Sequence, residues 1–132
     1  MGAGLETGAG TQLFKVVPEG TITTPKGFRA AGLHCGLKAN GRYDLGAIVC
    51  DVPAAAAAVY TTNAFQAAPL KVTRESIGVE GRLQAMLVNS GNANACTGEQ
   101  GEADAYAMRR AAAEALGVAE HRVGVTSTGV IG

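Results

Sequence analysis

Tryptophan is absent from this 132-residue sequence, and aromatic residues of all kinds make up only 5% of it. A core without large rings has to be built from small aliphatic side chains in close contact. Neither sign of charge is in surplus, because Lys and Arg (11) balance Asp and Glu (11) for a formal net charge of zero. Such a balance offers no attraction to nucleic acid or to a membrane surface, so neither is expected as a partner. No apolar run reaches the ~20 residues that a membrane helix requires. The opening Met1-Gly2-Ala3-Gly4-Leu5-Glu6 lacks the basic start and apolar stretch of a signal peptide, and Glu6 stands where myristoylation needs a hydroxyl. Together these absences predict a soluble cytoplasmic protein.

Cysteine is scarce as well. Cys35, Cys50 and Cys96 are odd in number, widely spaced, and form no CxxC pair. That favours buried free thiols in a reducing cytoplasm over a metal or disulfide framework. His34 directly precedes Cys35, but neighbours on a strand point to opposite faces, which suits a metal poorly. No metal and no resident cofactor are expected. Gly-x-Ser-x-Gly is missing, and Gly98-Glu99-Gln100-Gly101 is not followed by Lys-Ser or Lys-Thr, so neither a serine elbow nor a phosphate loop is present.

What the chain does hold is glycine, 19 residues of it, and an apolar content of 47% rich in alanine. The length is one domain's worth. Residues 1–20 are Gly-rich and aperiodic, and they read as a mobile lead-in to a domain spanning 21–132. Pro18-Glu19-Gly20 and Thr23-Thr24-Pro25-Lys26-Gly27 are turns. Phe28 to Leu37 reads as a strand with His34 on one face, a position typical of a core histidine. Asn40-Gly41 signals a hairpin, Tyr43 to Val52 the partner strand, and Pro53 its end. Lys26 and Arg29 read as surface charges. Pro69 to Ser76 is a short helix with proline in its first turn and Gly78 as a stop. Leu83 to Val88 is a buried strand.

The densest feature is Asn89-Ser90-Gly91-Asn92-Ala93-Asn94-Ala95-Cys96-Thr97-Gly98, between that strand and a helix. Its residue types describe a tight turn whose amide side chains hold its own backbone. Thr97 and Gln100 match a capping box for the helix, and Gly117 is placed to end it. Ala105, Met108, Ala112, Ala115 and Leu116 form its core stripe, and Arg110 and Glu114 an outer pair. His121, beside Glu120 and Arg122, reads as a surface-loop residue. A last strand, Val123-Gly124-Val125, leads to Ser127-Thr128-Gly129.

Asn89 to Gly98, with Ser127 to Gly132, resembles the bifunctional ornithine acetyltransferase family of arginine biosynthesis (glutamate N-acetyltransferase). Thr24-Pro25-Lys26-Gly27-Phe28 and Thr61-Thr62-Asn63 fit the same family, and the likeness runs from about Gly20 to the end. The resemblance implies an α/β (α+β) fold, a layered αββα-type sandwich like that of the N-terminal-nucleophile hydrolases, incomplete in this chain. Five consecutive alanines favour helix over Ala54 to Thr62, whereas Val59-Tyr60-Thr61-Thr62 favours strand. The resemblance implies an inner strand there.

The resemblance also implies the chemistry. Thr128 and Gly129 match the family's oxyanion hole. From the residues alone they would make a plain strand-end turn. The family cuts itself at an Ala-Thr bond, and the new N-terminal threonine of the β chain is the nucleophile. It moves acetyl from N-acetylornithine to glutamate, some members accept acetyl-CoA, and the whole is an α2β2 heterotetramer. No Met-Ala-Thr-Met-Leu segment occurs before Gly132. The expectation is the N-terminal part of an α chain, inactive without the β chain. Two alternatives stay open: an aminopeptidase-like hydrolase of the same fold, and a non-catalytic small-molecule-binding or interaction domain.

Overall fold

The computed structural model describes residues 14–131. The strands are β1 (Phe28–Leu33), β2 (Leu45–Ala55), β3 (Arg82–Asn92) and β4 (Val123–Val130), and the helices are α1 (Ala68–Glu80) and α2 (Gly98–Leu116). They form one sheet in the order β1-β2-β3-β4. The first three strands are antiparallel, and β4 runs parallel to β3. A parallel neighbour cannot be reached by a tight turn, so α2 serves as the crossover. One layer of helix on one layer of sheet is the α/β arrangement expected, and half of the αββα sandwich.

The core lies between the helices and β3–β4. Val72, Val123 and Val125 are fully buried there, with Ala85, Ala105, Ala112 and Ala113. Each valine contributes about 1.5–3 kcal/mol by leaving water, and the alanines let the helices approach closely. Edge strand β4 exposes backbone groups that need partners. Helix α1 supplies them. The Thr73 hydroxyl donates to the Val125 carbonyl at 2.8 Å and accepts from the Val125 amide at 2.9 Å. The Ser76 hydroxyl donates to the Val123 carbonyl at 2.8 Å. Both side chains are buried, so these bonds replace a fifth strand over the first half of β4.

Several sequence expectations are corrected. Residues 1–13 of the expected lead-in fall outside the described residues, while the turns at Pro18–Glu19 and Lys26–Gly27 form as read. Pro53 does not end β2. Strand β1 pairs no further than Cys50, and the β2–β3 register shifts between Val49 and Ala54. Pro53 therefore sits where no ladder needs its missing amide. The inner strand over Ala54 to Thr62 stops at Ala55, and Val59 is wholly exposed. Beyond Ala55 no described strand lies on either side to pair with it. Gly78 lies inside α1, and Gly81, in the left-handed conformation, ends it.

In α2 the capping box is not made. Thr97 is the N-cap but bonds Asn94, and Gln100 donates to Asp104 at 2.8 Å. Gly117 caps the far end as expected. Ala115 turns to solvent. Leu116 overhangs β1 beside an open groove with Arg29, Ala31 and Val49. Among the described residues the ion pairs of α2 run through Arg109, bonded to Glu120 at 2.8 Å, and through Glu102, paired with Lys71, rather than through Arg110. Of the three free cysteines only Cys50 is buried, and Cys35 and Cys96 are exposed. His121 belongs to the 3-10 turn Glu120–Arg122 and contacts Glu80 at 3.3 Å.

Candidate active site at the ends of β3 and β4

The asparagine-rich stretch is not all loop. Strand β3 continues through Asn89, Ser90, Gly91 and Asn92, because β4 pairs alongside in the register Ser90↔Thr128, Gly91↔Gly129 and Asn92↔Val130. Thr128 and Gly129 accordingly lie inside β4 rather than in a turn after it. Backbone pairing has overridden the local turn preference of Asn and Gly. The two facing glycines both have positive φ, 119° at Gly91 and 140° at Gly129. A Cβ on Gly129 would run into the Gly91 carbonyl group and the Asn92 amide. Only glycine allows this approach.

The true turn is residues 93–97, and its amides do hold the backbone as read. The Asn89 side chain donates to the Asn92 carbonyl at 2.8 Å, and that of Asn94 donates to the Gly101 carbonyl at 2.6 Å. Both asparagines are buried. The Asn94 carbonyl accepts from the Ala68 amide at 3.2 Å, and the Ala93 amide donates to the Val130 carbonyl at 2.9 Å. Cys96 takes a left-handed φ of 58° to close the turn. A cleft of ≈ 520 Å³ opens beside it, lined by Leu37, Asn89, Asn94, Gln100 and Ser127 among others. Thr128 and Gly129 stand next to Ser127 on the exposed end of β4.

Successive residues of a strand turn their backbone groups to opposite sides. Val123 and Val125 turn theirs to the outer edge, onto α1. The carbonyl of Val130 turns inward to Ala93. The same alternation carries the Gly129 amide to the outer edge, beyond the stretch that Thr73 and Ser76 cover.

Sequence reasoning missed Asp44. It is 2% exposed and ties the β1–β2 connection together. Its carboxylate accepts from the Cys35 amide at 2.6 Å and the Lys38 amide at 2.8 Å, and the His34 Nδ1 lies 3.0 Å from it. Burial would raise this carboxyl. The two amides, with Cys35 and His34, outweigh it and hold the group well below the usual carboxylate range. Its own carbonyl accepts from the Ser90 amide at 2.8 Å. The Asn40-Gly41 hairpin is therefore a longer connection wrapped around Asp44, although Gly41 has the positive φ expected. His34 is not a core strand residue. It lies in this connection, with Nδ1 3.1 Å from the Arg42 carbonyl.

No group of three or more His, Cys, Asp or Glu among the described residues is arranged to hold a metal. No described helix is long and apolar enough to cross a membrane.

Residues 29–132 match the ArgJ family. The chain is 66% identical over 113 residues to the arginine biosynthesis bifunctional protein ArgJ of Halalkalibacterium halodurans, covering 86% of this chain and 27% of that protein. It is 63% identical over 116 residues to the protein of the same name from Geobacillus kaustophilus, covering 88% and 28%. The chain thus spans little more than a quarter of the curated relatives it matches. Among solved structures, it is similar to ArgJ from Bacillus halodurans with a TM-score of 0.83 and 65% identity, over 86% of this chain and 59% of that one. It is similar also to the ornithine acetyltransferase of Mycobacterium tuberculosis complexed with ornithine, with a TM-score of 0.78 and 44% identity, over 84% and 60%. With the family match and these folds in agreement, the chain belongs to the ArgJ family.

Proposed function

We propose that this chain forms part of a glutamate N-acetyltransferase of arginine biosynthesis, which moves acetyl from N-acetylornithine to glutamate through an acetyl-threonine intermediate. The observation that carries this reading is the 66% identity to a protein named for arginine biosynthesis. The mycobacterial relative is complexed with ornithine, which supports the substrate class.

In this proposal the Thr128 hydroxyl and the Gly129 amide are the oxyanion hole. The outer edge of β4 supports it, since no described strand pairs with that edge and an amide turned to it is available to a substrate. Two donors fixed before reaction favour the tetrahedral oxyanion over the flat carbonyl, because charge appears on oxygen only as the carbonyl is attacked. The nucleophile is the N-terminal threonine of a β chain, placed outside these 132 residues, which contain no Met-Ala-Thr-Met-Leu segment. Its amine takes the hydroxyl proton as the oxygen attacks the acetyl carbon. Ornithine leaves with a proton on its nitrogen. The glutamate amine then attacks the acetyl ester, and the threonine is regenerated. In members of the family that accept acetyl-CoA, it would acetylate the same threonine by the same route, and no resident cofactor is required. The working unit is an α2β2 heterotetramer in the cytoplasm, and this chain alone is inactive.

The test is to incubate the complete two-chain protein with N-acetylornithine and glutamate, and to follow products by mass spectrometry. Equal amounts of ornithine and N-acetylglutamate are expected. Free acetate without N-acetylglutamate would instead identify a hydrolase.

A further inference from the structure

Three groups outside the proposed oxyanion hole meet at the end of β3. The Asp44 carboxylate holds the Cys35 and Lys38 amides at 2.6 and 2.8 Å. The connection so held lies against Gly91, where an added Cβ would come within 3.1 Å of the Lys38 Cγ and 3.5 Å of the Leu37 backbone. Gly91 in turn faces Gly129 with no room for a Cβ between them. The Asp44 backbone fixes the preceding residue of β3 through the Ser90 amide at 2.8 Å.

We infer that Asp44 is a positioning residue for acyl transfer, holding the Leu37–Lys38 segment against Gly91 and so setting where Gly129 presents its amide. The inference rests on the oxyanion reading above. A buried carboxylate is an apt group for this task. It can accept two backbone amides at once, and each charge-assisted bond is shorter and stronger than a neutral one. Its effect passes through close packing, since the Leu37–Lys38 segment leaves little room beside Gly91 on one side and Gly129 leaves none on the other. A displacement of about 1 Å in a group aimed at a transition state costs as much as ~10²-fold in rate. The carboxylate itself touches no reacting atom.

The experiment compares wild type, Asp44→Asn and Asp44→Glu in the complete two-chain enzyme. Wild type must first transfer acetyl, and Thr128→Ala must slow it. Failure of either control counts against the oxyanion reading and not against the role of Asp44. With both controls met, Asp44→Asn replaces one acceptor oxygen by an NH2 facing an amide. Its kcat, measured well below the melting temperature of the variant, which falls with the lost carboxylate, is expected to fall about 10- to 100-fold, with KM for N-acetylornithine within about threefold. Asp44→Glu, which keeps both acceptors, should recover part of kcat. An unchanged kcat in folded Asp44→Asn, or equal kcat losses in the Asn and Glu variants, would overturn the inference. If Asp44→Asn does not fold, Lys38→Ala tests the next link, because it removes the stem against Gly91 and keeps the Asp44 bonds. A several-fold kcat loss at constant KM is then expected, and full activity would overturn the inference.

Discussion

Gly129 lies directly across from Gly91 in the parallel β3–β4 ladder, with φ of 140° and 119° respectively. A methyl group on Gly129 would have to occupy the position of the Gly91 carbonyl group and the Asn92 amide. Gly129→Ala combines a disfavoured φ with backbone overlap, so it should destabilise the complete protein by about 2–4 kcal/mol. Acetyl transfer should be lost with it. A thermal melt beside the activity assay checks both, and a melt equal to wild type would show that the two strands separate without cost.

Thr128 stands one residue away but is exposed near the end of its strand. Thr128→Ala should therefore leave stability within about 0.5 kcal/mol of wild type. The rate should fall by ~10²-fold or more if its hydroxyl is an oxyanion donor. Thr128→Ser, which keeps the hydroxyl, should retain most of the activity. Steady-state kinetics on the three proteins separates a lost donor from a lost fold.

The Thr73 hydroxyl serves both the amide and the carbonyl of Val125 in a buried setting. Thr73→Val keeps the shape and strips both bonds. Each unpaired buried group costs about 1–3 kcal/mol, so a loss of roughly 2–4 kcal/mol is expected. Hydrogen exchange at the Val125 amide should accelerate more than at Ala85 in the sheet interior. Equal exchange at the two would mean that β4 holds its edge without α1.

Much of this arrangement was open to reading, and the rest was hidden for definite reasons. Phe28 to Leu33, Leu45 to Val52 and the long helix ending at Gly117 follow from period and capping signals. So does the tight packing of Asn89 and Asn94 on their own backbone. Asp44 was invisible because one Asp after a Gly-Arg-Tyr turn resembles any surface charge. Its burial depends on amides at Cys35 and Lys38 that fold back onto it. The asparagine stretch looked like a loop because Asn and Gly favour turns locally, whereas the pairing partner that straightens it lies about forty residues on, in β4. The alanine tract could not announce where its own pairing stops, since strand ends are set by where the neighbours end.

Asp44 gives the fold a dependence on acid whose sign is fixed. Burial opposes its charged form, but the amides and His34 outweigh that, and the folded carboxyl titrates well below the ordinary value of 3.8. The unfolded chain then binds the proton first on acidification. The contribution of Asp44 is fully present above about pH 5, declines below about pH 4, and is gone once the pH passes the folded pKa. The urea midpoint of wild type should exceed that of Asp44→Asn by a constant amount from about pH 7 to about pH 5. The gap should narrow between about pH 4 and about pH 3. A gap unchanged over that last interval would mean that Asp44 titrates alike in the folded and the unfolded chain.

Large apolar side chains remain uncovered on this chain: Val52 is 64% exposed, Phe65 83%, Val130 69% and Ile131 65%. An open apolar groove also runs along Phe28, Ile48, Cys50 and Met86. Exposed apolar surface of this extent drives association in water, and no described strand pairs with the outer edge of β4. Expressed alone, the 132-residue chain should therefore self-associate, with an apparent mass by light scattering that rises with concentration. Addition of the proposed β chain should replace that behaviour with one species of fixed mass. A monomer with a cooperative melt at every concentration would mean that the chain meets its own burial needs, and that the exposed groups are ordinary surface.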